Sequence, residues 1–121
     1  MLDELRDHLI SYLSQNHVCV IATNGLPGAC AVAAQYENDG LELNCRLPRW
    51  SDAAFYLEQE PHVTAIIQDV RSALPRWMQY RGVACTANAM DDRYVFIHIT
   101  PERIDLIDES RGWGARETLE L

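Results

Sequence analysis

Leucines at positions 2, 5, 9 and 13 fall on one face of a 3.6-residue repeat, so an amphipathic opening helix is expected over residues 2–15. At residue 17 the pattern changes. "HVCVIAT" (17–23) is a short apolar run with strand chemistry, "NGLPG" (24–28) is a turn, and "ACAVAAQY" (29–36) reads as a second strand built from small residues. Asp39-Gly40 in "ENDG" (37–40) tolerates the positive φ of a tight hairpin, and "LELNC" (41–45) alternates as a third strand. Pro48 then blocks the strand, Ser51 stands where a helix N-cap belongs, and residues 53–57 make a short helix stopped by Pro61. Further strands are expected at 62–70, 77–89, 94–100 and 103–108, with Gly82 marking a bend, a bulge or a close backbone approach. The tail, "ESRGWGARETLEL", reads as irregular, with Trp113 between two glycines.

Strands dominate, and no βαβ alternation points to a parallel sheet. The expected fold is mainly β: a six- to seven-stranded antiparallel barrel with an N-terminal helix and a short helix between the third and fourth strands, in a single domain over residues 1–121.

Charge and composition then narrow the function classes. The formal charge of −8 argues against nucleic acid and against an anionic membrane surface as partners. All ten basic residues are arginine, which excludes a lysine Schiff base within the chain and leaves guanidinium groups, backbone N–H and hydroxyls to hold any anion. The apolar runs are far too short to span a membrane, and "MLDELRDH" is acidic and helical, unlike a secretory leader, so a cytoplasmic address is expected. Cys19, Cys30, Cys45 and Cys85 are widely spaced and read as reduced core thiols. His17 and Cys19 share a strand face, but no second pair completes a metal site. There is no G-x-S-x-G elbow, no H-E-x-x-H, and no Walker or Rossmann loop, so hydrolase and nucleotide-loop readings fall.

The chemistry that survives lies in "CRLPRWSDAAFYL" (45–57). A helix N-terminus offers unpaired N–H groups and a positive dipole end to an anion. Arg46 and Arg49 stand just upstream, Ser51 can donate its hydroxyl or cap the helix, and Trp50 can cover an aromatic ring or pack on the barrel. Asp52 favours the helix but repels a phosphate. His62 and His98 are candidate proton donors, His98 reading as a strand residue that faces solvent or makes a local hydrogen bond.

In order and spacing over nearly the whole chain, "HVCVIATNGLPGACAVAAQYENDGLELNC", "WSDAAFYLEQEPHVTAII" and "MQYRGVA" resemble the pyridoxamine 5′-phosphate oxidase-like group, the FMN-binding split β-barrels. The resemblance implies a homodimer with FMN in grooves between two barrels. It places the flavin phosphate near the end of the third strand and the next helix, here Arg46, Arg49, Trp50 and Ser51. It places ring contacts on the second strand and at the start of the long strand, here Gln35 and Arg76, Trp77 and Gln79. Two positions depart from the group's pattern: Asp52 where a basic residue is common, and Trp77 where a polar contact often lies. Trp113 is either a tail anchor or a reach into the partner's site. The implied function is a flavin-dependent oxidoreductase of unknown substrate. Such an enzyme needs little acid–base machinery, because the redox chemistry belongs to the cofactor. The alternative is a non-catalytic dimeric module holding a flavin, or another cofactor such as a deazaflavin or haem.

Overall fold

The computed structural model describes residues 2–25, 28–87 and 91–121. Helix α1 (Leu2–Ser14) leads into strands β1 (Val18–Gly25), β2 (Gly28–Asp39) and β3 (Glu42–Pro48). Helix α2 (Asp52–Tyr56) follows, then β4 (His62–Gln68), β5 (Arg76–Thr86), β6 (Tyr94–Asp108) and β7 (Arg116–Glu120). Every pairing is antiparallel. The order β3-β2-β1-β4-β5-β6 closes into a six-stranded barrel when β3 pairs back onto β6, and β7 adds to β6 beyond the closure. The expected mainly-β barrel with its two helices is the observed architecture.

Period-2 alternation decides which side chains fill the barrel. On β3, Leu43, Cys45 and Leu47 point inward and are buried, while Asn44 and Arg46 point out. Leu9 and Leu13 of α1 join Ile21, Ile67, Met78, Ile99, Ile104 and Leu106 in one core. Three tyrosines tie elements together through that core. The hydroxyl of Tyr12 donates to Ile67 O at 2.6 Å, that of Tyr36 to Leu13 O at 2.8 Å, and that of Tyr80 to Leu41 O at 2.6 Å. Burial pushes all three phenols well above their ordinary pKa, so each remains a donor.

Two elements differ from the sequence expectation. The strands expected at 94–100 and 103–108 are one strand, β6, running through Pro101. Its register against β5 slips between Arg81 and Gly82: Arg81 faces Arg103 while Gly82 faces Pro101, leaving Glu102 as the extra residue of a bulge. A proline is tolerated there because the ladder is already interrupted. Gly82 serves the bulge and a close approach at once, since a Cβ on it would lie 2.5 Å from Thr100 O.

The tail is the second correction. Residues 116–120 form β7, which pairs with 103–107 of β6. Leu119 is its one buried apolar residue, too little to give a periodic signal. Leu26 and Pro27 of the expected turn, and the end of the strand expected to reach 89, lie outside the described residues.

Candidate functional site

The outer face of β3 carries the polar chemistry. Register places Arg46 beside Gln35 of β2 on one side and Phe96 of β6 on the other. Together with His17, Glu37 and Asn44 these residues line an open groove of about 650 Å³, within the span of about 300–1,000 Å³ usual for small-molecule sites. Arg46 donates from Nη2 to Gln35 Oε1, and its guanidinium lies 4.9 Å from the centroid of the Tyr94 ring. The groove thus offers a held cation, an amide and an aromatic wall.

The loop after β3 is organised differently. Arg49 donates from Nη2 to Asp91 O at 2.6 Å and to Tyr94 O at 3.1 Å, fastening β3 to the turn before β6. Ser51 caps α2 as expected: its Oγ accepts from Ala54 N at 3.2 Å and donates to Pro48 O at 2.7 Å. Its one proton is therefore engaged within the chain. Trp50 is 83% exposed and borders a second depression with Arg49, Arg93 and Tyr94. Asp52 is exposed in the first turn of α2.

The expected site residues therefore fall into three groups. Gln35 and Arg46 meet in the groove, and Arg49, Trp50 and Ser51 sit together at its neighbour. Trp77 lies elsewhere, on β5, between Gln68 of β4 and Ile107 of β6. Strands β1 and β4 separate it from Gln35 within one chain. Arg76 belongs to a structural network: Nη1 reaches Asp69 at 3.1 Å, Nε lies 3.3 Å from Asp108, and the guanidinium stacks 4.9 Å from the Tyr12 ring. Burial pushes the Asp69 carboxyl up, but the Arg71 N–H and the two guanidinium groups outweigh it and hold it below the usual carboxylate range.

The remaining candidates also find places. His17 is exposed at the groove whereas Cys19 is sealed in the core, so the two do not share a face. The hydrogen bond that the Cys45 thiol donates to Cys19, together with burial, pushes the Cys45 thiol upward, and both cysteines are sealed in the core. Cys85, expected in the core, is exposed. Among the described residues no cluster of three His, Cys, Asp or Glu side chains suits a metal ion. His62 pairs with Glu60 at 2.7 Å, and that contact raises the imidazole pKa. His98 makes the local bonds expected of it: Nε2 lies 2.6 Å from Glu42 Oε1 and Nδ1 lies 2.9 Å from Asn44 Oδ1.

Sequence reasoning missed Asn44, Glu37 and Phe96 as groove residues. The signal for Asn44 was present, since alternation in "LELNCRL" places Glu42, Asn44 and Arg46 on one face. The pairing of that face with Gln35 and Phe96 needed the register.

No protein-family model matches the sequence, and no curated protein does. Solved structures do match. One is a Clostridium acetobutylicum protein related to general stress protein 26 of Bacillus subtilis, of the pyridoxinephosphate oxidase family. It is 11% identical with a TM-score of 0.79, over 98% of this chain and 96% of that one. Another is a pyridoxamine 5′-phosphate oxidase-related, FMN-binding protein from Nostoc punctiforme, 7% identical with a TM-score of 0.66, over 99% and 95%. The fold is that of the pyridoxamine 5′-phosphate oxidase-like split barrels. A haem-binding protein from Mycobacterium smegmatis has this split barrel within a longer chain, at 13% identity and a TM-score of 0.75, over 95% of this chain and 56% of that one.

The groove of this split barrel fits a flavin in part. Gln35, Asn44 and Phe96 suit a flat heterocycle with polar edges, and Arg46 supplies a cation for a phosphate. At α2 the fit is poorer, because the Ser51 proton is engaged and Asp52 adds like charge. Among the described residues no helix is long and apolar enough to cross a membrane.

Proposed function

We propose that this chain binds FMN in the Gln35–Arg46 groove as a homodimer and acts as a flavin-dependent oxidoreductase. The observation that carries the reading is the Arg46 guanidinium, held by Gln35 and stacked near Tyr94 at the mouth of a small-molecule-sized groove. In this reading Arg46 takes the phosphate, aided by N–H groups of Arg49 that the 91–94 turn does not use. The amides of Gln35 and Asn44 meet the polar edge of the ring. Bound flavin would supply hydride and electron transfer; the chain's part is to bind, orient and shield it.

The outer face beside the groove supports the dimer. Val18 and Val20 of β1 are 55% and 42% exposed, and the adjacent outward residues of β2 are Ala31 and Ala33. Val18 stands directly opposite Gln35. A second copy laid on this apolar strip would cover it and wall the groove.

The test is the visible spectrum of the purified protein, followed by titration of the apoprotein with FMN. A flavin spectrum with saturable rebinding is expected, weakened at least about tenfold in Arg46→Ala, the scale of a lost charge-assisted hydrogen bond. A protein that ignores FMN, or an Arg46→Ala variant that binds it unchanged, overturns the reading.

A further inference from the structure

At the groove, one imidazole stands behind one amide. Asn44 and His98 are cross-strand partners on the outer face of β3 and β6, and Asn44 lines the groove. His98 Nε2 lies 2.6 Å from Glu42 Oε1, and a carboxylate only accepts, so Nε2 carries a hydrogen. His98 Nδ1 lies 2.9 Å from Asn44 Oδ1, another acceptor, so in this arrangement Nδ1 carries a hydrogen too. The charged ring is one of two states that fit this contact. It turns the amide oxygen of Asn44 toward the histidine and leaves the Nδ2 hydrogens for the groove.

Loss of the Nδ1 proton reverses this logic. Glu42 still requires the hydrogen on Nε2, so Nδ1 becomes an acceptor facing an acceptor. A half-turn of the Asn44 amide then restores the bond, with Nδ2 donating to Nδ1 and Oδ1 facing the groove. We propose that His98 is a positioning residue for the groove: through Asn44, one proton on its ring decides whether the site offers its ligand a hydrogen-bond donor or an acceptor. The inference deepens the flavin reading, and its consequence for binding rests on that reading. A flavin ring edge carries both carbonyl oxygens and an N–H, so the two amide orientations match different parts of it.

The charged and titratable groups around this pair are few. Glu42 of β3 contacts the ring directly, and Cys85 of β5 is the cross-strand neighbour of His98. On the other side of Asn44 stand Glu37 of β2 and, along β3, Arg46, and a second imidazole, His17, lines the same groove. Phe96 and Thr100 flank His98 along β6 and do not titrate.

The experiment uses the full chain labelled with ¹⁵N, following the His98 ring nitrogens and the Asn44 side-chain amide between about pH 5 and 8. The Asn44 signals should move along the same curve as the His98 ring, and should stay flat in His98→Gln, which cannot change charge. An Asn44 amide that ignores the His98 titration overturns the proposal. FMN is then titrated on both sides of the His98 midpoint. The dissociation constant should change between the two by about three- to tenfold, one neutral hydrogen bond, and the change should vanish in His98→Gln and in Asn44→Ser. A pH effect of the same size in both variants overturns the role of the pair in binding. If FMN binds at neither pH while the two titrations stay coupled, the flavin reading falls and the donor–acceptor exchange at Asn44 stands.

Discussion

The two faces of β3 follow different rules. Inward, Leu43, Cys45 and Leu47 are each 2% exposed or less, and their positions are dictated by alternation and packing alone. Outward, Arg46 and Asn44 take their roles from residues on other strands: Gln35, Tyr94 and His98. The inner face can be replaced only by something of the same shape, whereas the outer face can change its chemistry and leave the barrel standing. In the proposed reading, function therefore lies on the face that contributes least to stability.

That contrast can be broken most directly inside. Leu43→Ala removes a fully buried side chain and should cost about 2–5 kcal/mol in urea unfolding. A loss below about 1 kcal/mol would mean that the inner face is as forgiving as the outer. Next in size is Gly82→Ala, which sets a Cβ against the Thr100 carbonyl and should cost about 1–3 kcal/mol. A neutral result would show that the bulge in β6 yields. At the outer end of the scale, Asn44→Ala should change stability by less than about 0.5 kcal/mol while altering FMN binding.

A pH experiment sharpens the contrast at the barrel rim. Burial raises the Asp105 carboxyl, but the Thr118 hydroxyl and the Arg103 guanidinium outweigh it and hold it below its usual value, as the arginines do for Asp69. A carboxyl lowered in the folded state stabilises above the unfolded pKa and loses that contribution as pH falls through the folded one. Stability should therefore be level from neutral down to about pH 4 and decline below it. Asp105→Asn should show a smaller acid decline in thermal melts, and an unchanged profile would remove Asp105 from the account.

How much was legible follows the same division. The opening three strands, the hairpin at Asp39-Gly40 and the Ser51 cap could be read because each rests on local chemistry: alternation, a glycine at φ +61°, a hydroxyl before a helix. Residues 94–108 were split because Pro101 and Glu102 break the alternation, and only the facing Gly82 shows that the strand passes through. Strand β7 was missed because a strip with one buried leucine has no period. At the candidate site, Arg46 and Gln35 were each singled out, but that they pair across eleven residues depends on a register that the sequence does not state. Arg49, the same side chain three residues on, is also tied by Nη2 to the 91–94 turn, a contact its type alone does not reveal.

Strand β7 has one more consequence. One edge of β6 is divided, its first half gripped by β3 and its second half by the five residues of β7. With only Leu119 sunk into the core, β7 should fray first, and amides of residues 103–107 on that edge should exchange with solvent sooner than those of 94–99. Each such opening would bare a strip of unpaired backbone on which another chain's strand could zip. The remaining side chains of β7 are Arg116, Glu117, Thr118 and Glu120, and their charges discourage a second molecule from extending the sheet. The segment that reads as a shapeless tail thus covers the second half of that β6 edge.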